Sequence, residues 1–147
     1  MAARNSPPEP AATPRNLTLI KPAPIKLAHL TKRADFLAAA RDIRKVAGAV
    51  TLELTPTPEA ARRDGHARIG FTASRKIGNA VARNRAKRRM RAAARERLPL
   101  SARTGHDYVL VARAGILTRD FQALLGDISA AMAAAHAKLD ARSGGVS

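Results

Sequence analysis

Apolar positions along the middle of the chain change period several times, and each change marks a different element. Phe36, Ala40 and Ile43 stand at i, i+4 and i+7 with Leu37 widening the stripe, so a first helix is predicted there, with Thr31 as its cap. From Ala49 to Thr55 the spacing becomes two: Val50, Leu52 and Leu54 share one face and Thr51, Glu53 and Thr55 the other, the signature of a half-buried strand. Pro56, Pro58 and the polar stretch Arg62 to Gly65 interrupt the pattern before Ala67, Ile69, Phe71 and Ala73 alternate again, which predicts a hairpin with a long loop. Asn79 to Leu98 returns to a helical period, and Tyr108 to Ala112 is a short apolar run between Gly105 and Gly115, hence a buried strand. Phe121, Leu124, Leu125, Ile128, Met132, Ala135 and Leu139 form the core-facing stripe of a last helix, with Thr118 as its expected cap. Gly70 and Gly78 mark places where backbone can approach closely. The resulting order, α-β-β-α-β-α, predicts an α+β fold with helices packed on one sheet.

The ends of the chain lack such periods. Six of the nine prolines (Pro7, Pro8, Pro10, Pro14, Pro22 and Pro24) lie in the first 24 residues, where they fix φ and remove amide donors. The expected division is therefore a Pro-rich basic tail over 1–25, a folded domain over 26–141 and a flexible C-terminus over 142–147. A chain of 147 residues leaves room for one core, and with only Phe36, Phe71, Tyr108 and Phe121 as aromatics that core must be mostly Ala, Val, Leu and Ile. No apolar run is long enough to span a membrane, and the N-terminus has neither the apolar stretch of a secretory signal nor, with Glu9 and its prolines, the amphipathic helix of a transit peptide. With no cysteine in the chain, a cytoplasmic location is expected.

Charge changes the picture most. The 27 Lys and Arg residues face 11 Asp and Glu, a net charge of +16, and such self-repulsion in a small protein points to a polyanionic partner. More than half of it is concentrated: from Arg75 to Arg97 there are ten basic residues and a single acid, Glu96. At 100° per residue Ala82, Ala86, Met90 and Ala93 form a narrow apolar row on the helix, while Asn84, Arg88, Arg91 and Arg95 line the opposite side, flanked by Arg83, Arg85 and Lys87. Solvated charged faces usually mix Glu with Lys, and here that mixing is absent. The like charges at i, i+3 and i, i+4 repel one another until an external anion relieves them. Arg outnumbers Lys 20 to 7, which favours forked contacts to phosphate and stacking on bases. A membrane-surface helix would need bulky apolar residues where this one has Ala and one Met. A metal-dependent nuclease would need converging carboxylates, whereas the acids, and equally the four histidines His29, His66, His106 and His136, are dispersed without motif spacing. The residues by themselves therefore indicate nucleic-acid binding with no catalytic group and no protein-bound metal.

The run from Arg68 to Arg95 closely resembles the protein subunit of bacterial ribonuclease P. That family carries a Ser-(Lys/Arg)-Lys-(Ile/Val)-Gly-Asn-Ala-Val stretch leading into an Arg-Asn-Arg helix, here Ser74 to Val81 followed by Arg83-Asn84-Arg85 with Lys87 and Arg88. Leu30 to Phe36 and Asp107 to Arg113 agree as well, so the resemblance covers roughly Lys26 to Leu139. It implies a sheet of about four strands with three helices in the order α-β-β-β-α-β-α, with a left-handed β-α-β crossover around the basic helix. The strand not seen in the periodicity is expected in or beside the 56–66 connection.

The resemblance further implies that a catalytic RNA holds the magnesium ions and cleaves the 5′ leader from precursor tRNA, while the protein, binding no cofactor itself, contacts both RNAs. Arg83, Arg85, Lys87, Arg88, Arg91 and Arg95 are then expected to bind RNA, with Asn84 orienting them and Gly78 setting the turn. Phe36 is the expected leader contact, with Arg75 and Lys76 nearby. One departure reduces stacking capacity: where relatives commonly carry further aromatics, this chain has Ala40 and Val50 to Leu52. The alternative for so basic a chain is a structural ribosomal or RNA-chaperone protein without a role in cleavage.

Overall fold

The computed structural model describes residues 25–144, with side chains through Arg142. The expected tail thus lies outside the described residues up to its last position, Ile25. Five strands, β1 (Lys26–His29), β2 (Ile43–Ala47), β3 (Val50–Pro56), β4 (His66–Thr72) and β5 (His106–Ala112), form one mixed sheet in the order β1-β4-β5-β3-β2. Three helices, α1 (Arg33–Ala40), α2 (Ala80–Ser101) and α3 (Phe121–Gly144), complete the order β-α-β-β-β-α-β-α.

Strand alternation sorts the core into two faces. Leu52, Leu54, Ile69, Tyr108 and Leu110 point to one side and form the main core with Met90 and Leu98 of α2 and Leu124, Ile128 and Met132 of α3. Val109 and Val111 point to the other, where Leu30, Phe36 and Ala39 make a small second cluster under α1. The basic helix and Phe36 therefore lie on opposite faces of the sheet.

The α+β class is as expected, but the strand count and several connections differ from the sequence expectation. Strands β3 and β4 are not hairpin partners: β5 lies between them, antiparallel to β3 and parallel to β4. The hairpin is β2–β3, turning through Gly48 at φ 53, a conformation that favours glycine. Its first strand begins at Ile43, the residue whose spacing from Phe36 mimics a helical period; α1 has already ended at Ala40. The 56–66 connection holds only a 3-10 turn, Glu59–Ala61, and the other unforeseen strand is β1, a four-residue edge pairing in parallel with β4. Two expected caps are also replaced. Lys32, not Thr31, stands at the start of α1 and makes no side-chain cap, while Asp120 Oδ2 accepts from Ala123 N at the start of α3 and Thr118 instead donates to Gly115 O. Helix α3 continues to Gly144, past the boundary drawn at 141.

Candidate nucleic-acid interface

The entrance of α2 is built by its own sequence. Ser74 Oγ accepts from Lys76 N at 3.3 Å and opens a 3-10 turn over Arg75–Ile77, so Arg75 and Lys76 stand immediately before the helix. Gly78 follows at φ 145, and a Cβ there would meet Ala82 Cβ at 2.9 Å. Both facts exclude a larger side chain without strain. Asn79 then caps the helix, its Oδ1 accepting from Ala82 N at 2.9 Å. These residues set the angle at which α2 leaves β4.

Along α2 the buried stripe is wider than the expected row. Ala86, Met90 and Ala93 are buried, as are Ala94 and Leu98, whereas Ala82 is half-buried. Asn84, Arg85, Arg88 and Arg95 are exposed, and Arg83 and Lys87 half-exposed. Arg91 departs from its expected outward position. It is half-buried, and its guanidinium lies over the Phe71 ring at 5.4 Å from the centroid. The reason is the widened stripe: Arg91 precedes Ala94 by three residues and so borders the buried side.

Arg89, absent from the expected set, has a structural part. Its guanidinium donates to Leu117 O at 3.3 Å and to Arg119 O, tying α2 to the segment before α3. The sequence held a signal for this, since Arg89 stands three residues after Ala86 and four before Ala93, on the buried side of the helix.

Elsewhere five arginines are matched with acids. Arg44 pairs with Glu53, Arg103 with Asp140, Arg119 with Asp127 and Arg142 with Asp42, while Arg68 bridges Asp35 and Asp107. Arg68 makes a forked contact to Asp107 at 2.8 and 2.7 Å, and that bond raises its pKa further above the ordinary arginine range. Asp127 would be pushed up by burial, but Arg119 and the Ala49 N–H hold it below the usual carboxylate value. Arg103 likewise holds Asp140 low. Burial raises Glu53, against the opposing pull of Arg44. Among the described residues no ion pair includes a basic residue of α2. The helix carries one acid, Glu96, and it is in no ion pair with the helix cations.

Phe36 occupies a different place. Its half-exposed ring rests edge-on over Gly70, where a Cβ would come within 2.5 Å of Cε1. The glycine exists to admit the ring. The ring packs with Leu30, Ala39, Val109 and Val111, and the same face of the sheet also carries Thr51, Glu53 and Thr55 on β3 and the Arg68–Asp107 pair on β4 and β5. The structure thus brings Arg83, Asn84, Arg85, Lys87, Arg88 and Arg95 together on α2, with Arg75 and Lys76 at its start, and sets Phe36 apart on the far side of the sheet. Among the described residues no group of three or more His, Cys, Asp and Glu side chains converges as a metal site, and no helix is long and apolar enough to cross a membrane.

Comparison with known proteins agrees with this geometry. The family model described as Ribonuclease P matches residues 25–136. The ribonuclease P protein component of Caulobacter vibrioides is 47% identical over 119 residues, covering 81% of this chain and 78% of that protein. The one from Ruegeria pomeroyi is 49% identical over 109 residues, covering 74% and 86%. In fold the chain is similar to the RNase P protein of Staphylococcus aureus, at a TM-score of 0.58 and 21% identity over 73% of this chain and 94% of that one. The Thermotoga maritima RNase P protein gives 0.58 and 21% over 71% and 94%. With the family's motif entering a capped helix of unpaired cations, and the family model spanning nearly all of the described domain, the chain belongs to the ribonuclease P protein family.

Proposed function

We propose that this chain, a ribonuclease P protein component assisting the RNA-mediated maturation of precursor-tRNA 5′ ends, does so by presenting α2 to RNA phosphates. Arg83, Arg85, Lys87, Arg88 and Arg95 contact the catalytic RNA, Asn84 orients the backbone it meets, and Arg91 contributes from the rim. Phe36, on the other face, meets the single-stranded leader, with Arg75 and Lys76 holding flanking phosphates. Magnesium and the cleavage chemistry belong to the RNA, and the complex works in the cytoplasm. The observation that carries the proposal is the absence of acidic partners for the α2 cations, while every ion pair among the described residues lies elsewhere. Cations that are unpaired in the free protein lose no internal contact on binding and gain charge-assisted hydrogen bonds to phosphate.

Two RNAs must approach each other in the complex, and low magnesium leaves their repulsion unscreened. Reconstitution with a bacterial ribonuclease P RNA at low magnesium tests the proposal: added protein restores cleavage of precursor tRNA, and the protein alone cuts nothing. Unchanged cleavage with RNA binding intact would instead mark a structural RNA-binding protein.

A further inference from the structure

Among the described residues, the two helices on the main core face leave a stretch of sheet beside β1 and β4 uncovered. Between β1, β4 and the C-terminal half of α2 lies a cleft of about 200 Å³ lined by Leu27, His29, Ile69, Phe71, Arg91, Ala94 and Arg95. Its floor is apolar, made by Leu27, Ile69, Phe71 and Ala94, and its rim carries two arginines and a histidine. Neither Arg91 nor Arg95 takes part in an ion pair among the described residues. The Arg91 guanidinium lies 5.4 Å from the Phe71 ring centroid, within cation–π reach of the aromatic floor.

We propose that this cleft receives one unpaired nucleotide of a bound RNA, its base against Phe71 and the Arg91 guanidinium and its phosphate on Arg95. The inference rests on the chain being an RNA-binding subunit and adds a base-stacking site to it, on the face of the sheet opposite Phe36. Three features support this occupant. The row Asn84, Arg88, Arg91 and Arg95 climbs one side of α2 at helical spacing, so a strand whose phosphates follow Arg88 arrives at the cleft. The cleft combines apolar walls with positive charge at its mouth, which matches a base attached to a phosphate and would repel a cationic guest. Bases stack on aromatic rings and on guanidinium planes, and the cleft offers one of each.

The test uses the full-length protein and a fluorescent single-stranded RNA pentamer, compared with the same pentamer lacking its central base. Wild type binds the intact pentamer about fivefold or more tightly than the abasic one, the low end of what one stacked base contributes. Arg91→Lys keeps the charge and loses the plane, and Phe71→Leu keeps apolar bulk and loses the ring. In each, the preference for the intact pentamer shrinks toward unity, and Phe71→Leu leaves binding of the abasic pentamer unchanged. A 4-thiouridine at the central position crosslinks to the peptides holding Leu27–His29 or Ile69–Phe71. An undiminished preference in the folded Arg91→Lys protein, or crosslinks confined to the Phe36 face, would overturn the proposal. So would competition for the cleft by a free mononucleotide as effective as the pentamer, which would assign it to soluble nucleotides. Failure here leaves low-magnesium cleavage rescue intact, whereas failure of the functional proposal abolishes that rescue.

Discussion

Tyr108 is wholly buried, and its hydroxyl needs partners that the apolar core does not supply. It accepts from Arg103 N at 2.8 Å, which leaves its own hydrogen to donate to His136 Nε2 at 2.8 Å. Burial pushes the Tyr108 pKa up to about 12, so the donor persists at any physiological pH. His136 must be neutral to accept, and its pKa is lowered from 6.5, first by burial and then by Arg103 and His106. The unfolded chain therefore binds the proton more readily than the folded one. Stability from this pair is complete above the unfolded value and is lost as pH falls through it toward the lower folded value. Urea denaturation at about pH 7.5 and about pH 5 should show a lower midpoint in acid. His136→Gln can still accept from Tyr108 without titrating, and should flatten that difference; an identical pH dependence in the variant would place the titrating group elsewhere. Phe36 invites a second substitution. Phe36→Leu keeps contact with Gly70 and should weaken binding of the assembled enzyme to precursor tRNA by about 1 kcal/mol while sparing mature tRNA. Equal loss for both substrates, or a much lower melting temperature, would make the ring a core anchor only.

At the scale of elements, the entrance to α2 decides where the cations point. Gly78→Ala forces a Cβ into a positive φ and against Ala82, and should destabilise the fold by about 1–3 kcal/mol. Asn79→Ala removes a cap and should cost about 1 kcal/mol. Chemical denaturation measures both, and a neutral Gly78→Ala would show that the turn has another solution. Gly78 was legible in the sequence, as were α2, β3, β5 and the apolar stripe of α3, because these elements are long or strongly periodic; the cap at Asn79 was not. What escaped was short or held from outside. β1 has four residues, too few to show a period, and exists by pairing with β4. β2 contains Ile43, which continues the spacing of Phe36 and Ala40 by coincidence, and only its pairing with β3 makes it a strand. The insertion of β5 between β3 and β4 is a long-range choice that no local pattern encodes. For the site, the charge of α2 was plain in the sequence, but the width of the buried stripe was not, and it is this width that turns Arg89 inward and draws Arg91 over Phe71.

At the scale of the whole molecule, most acids among the described residues are held in ion pairs away from α2. Asp35, Asp42, Glu53, Asp107, Asp127 and Asp140 are spent in ion pairs that join α1, α3 and the sheet, and α2 is left as the unbalanced surface. A molecule of net charge +16 can remain folded in this arrangement because the ion pairs that hold the fold use charges other than those of α2. The claim that α2 is the RNA-binding surface is tested most directly by the salt dependence of affinity for ribonuclease P RNA. Log affinity falls with log salt by about 0.7–0.9 for each phosphate neutralised. Replacing Arg85 and Arg88 together by Ala should make that slope shallower by about two such increments without lowering stability, since both side chains are exposed. Replacing Lys45 and Lys138, at the β2 edge and on α3, should leave the slope as in wild type. A slope unchanged by the α2 pair but reduced by the Lys45 and Lys138 pair would contradict the account.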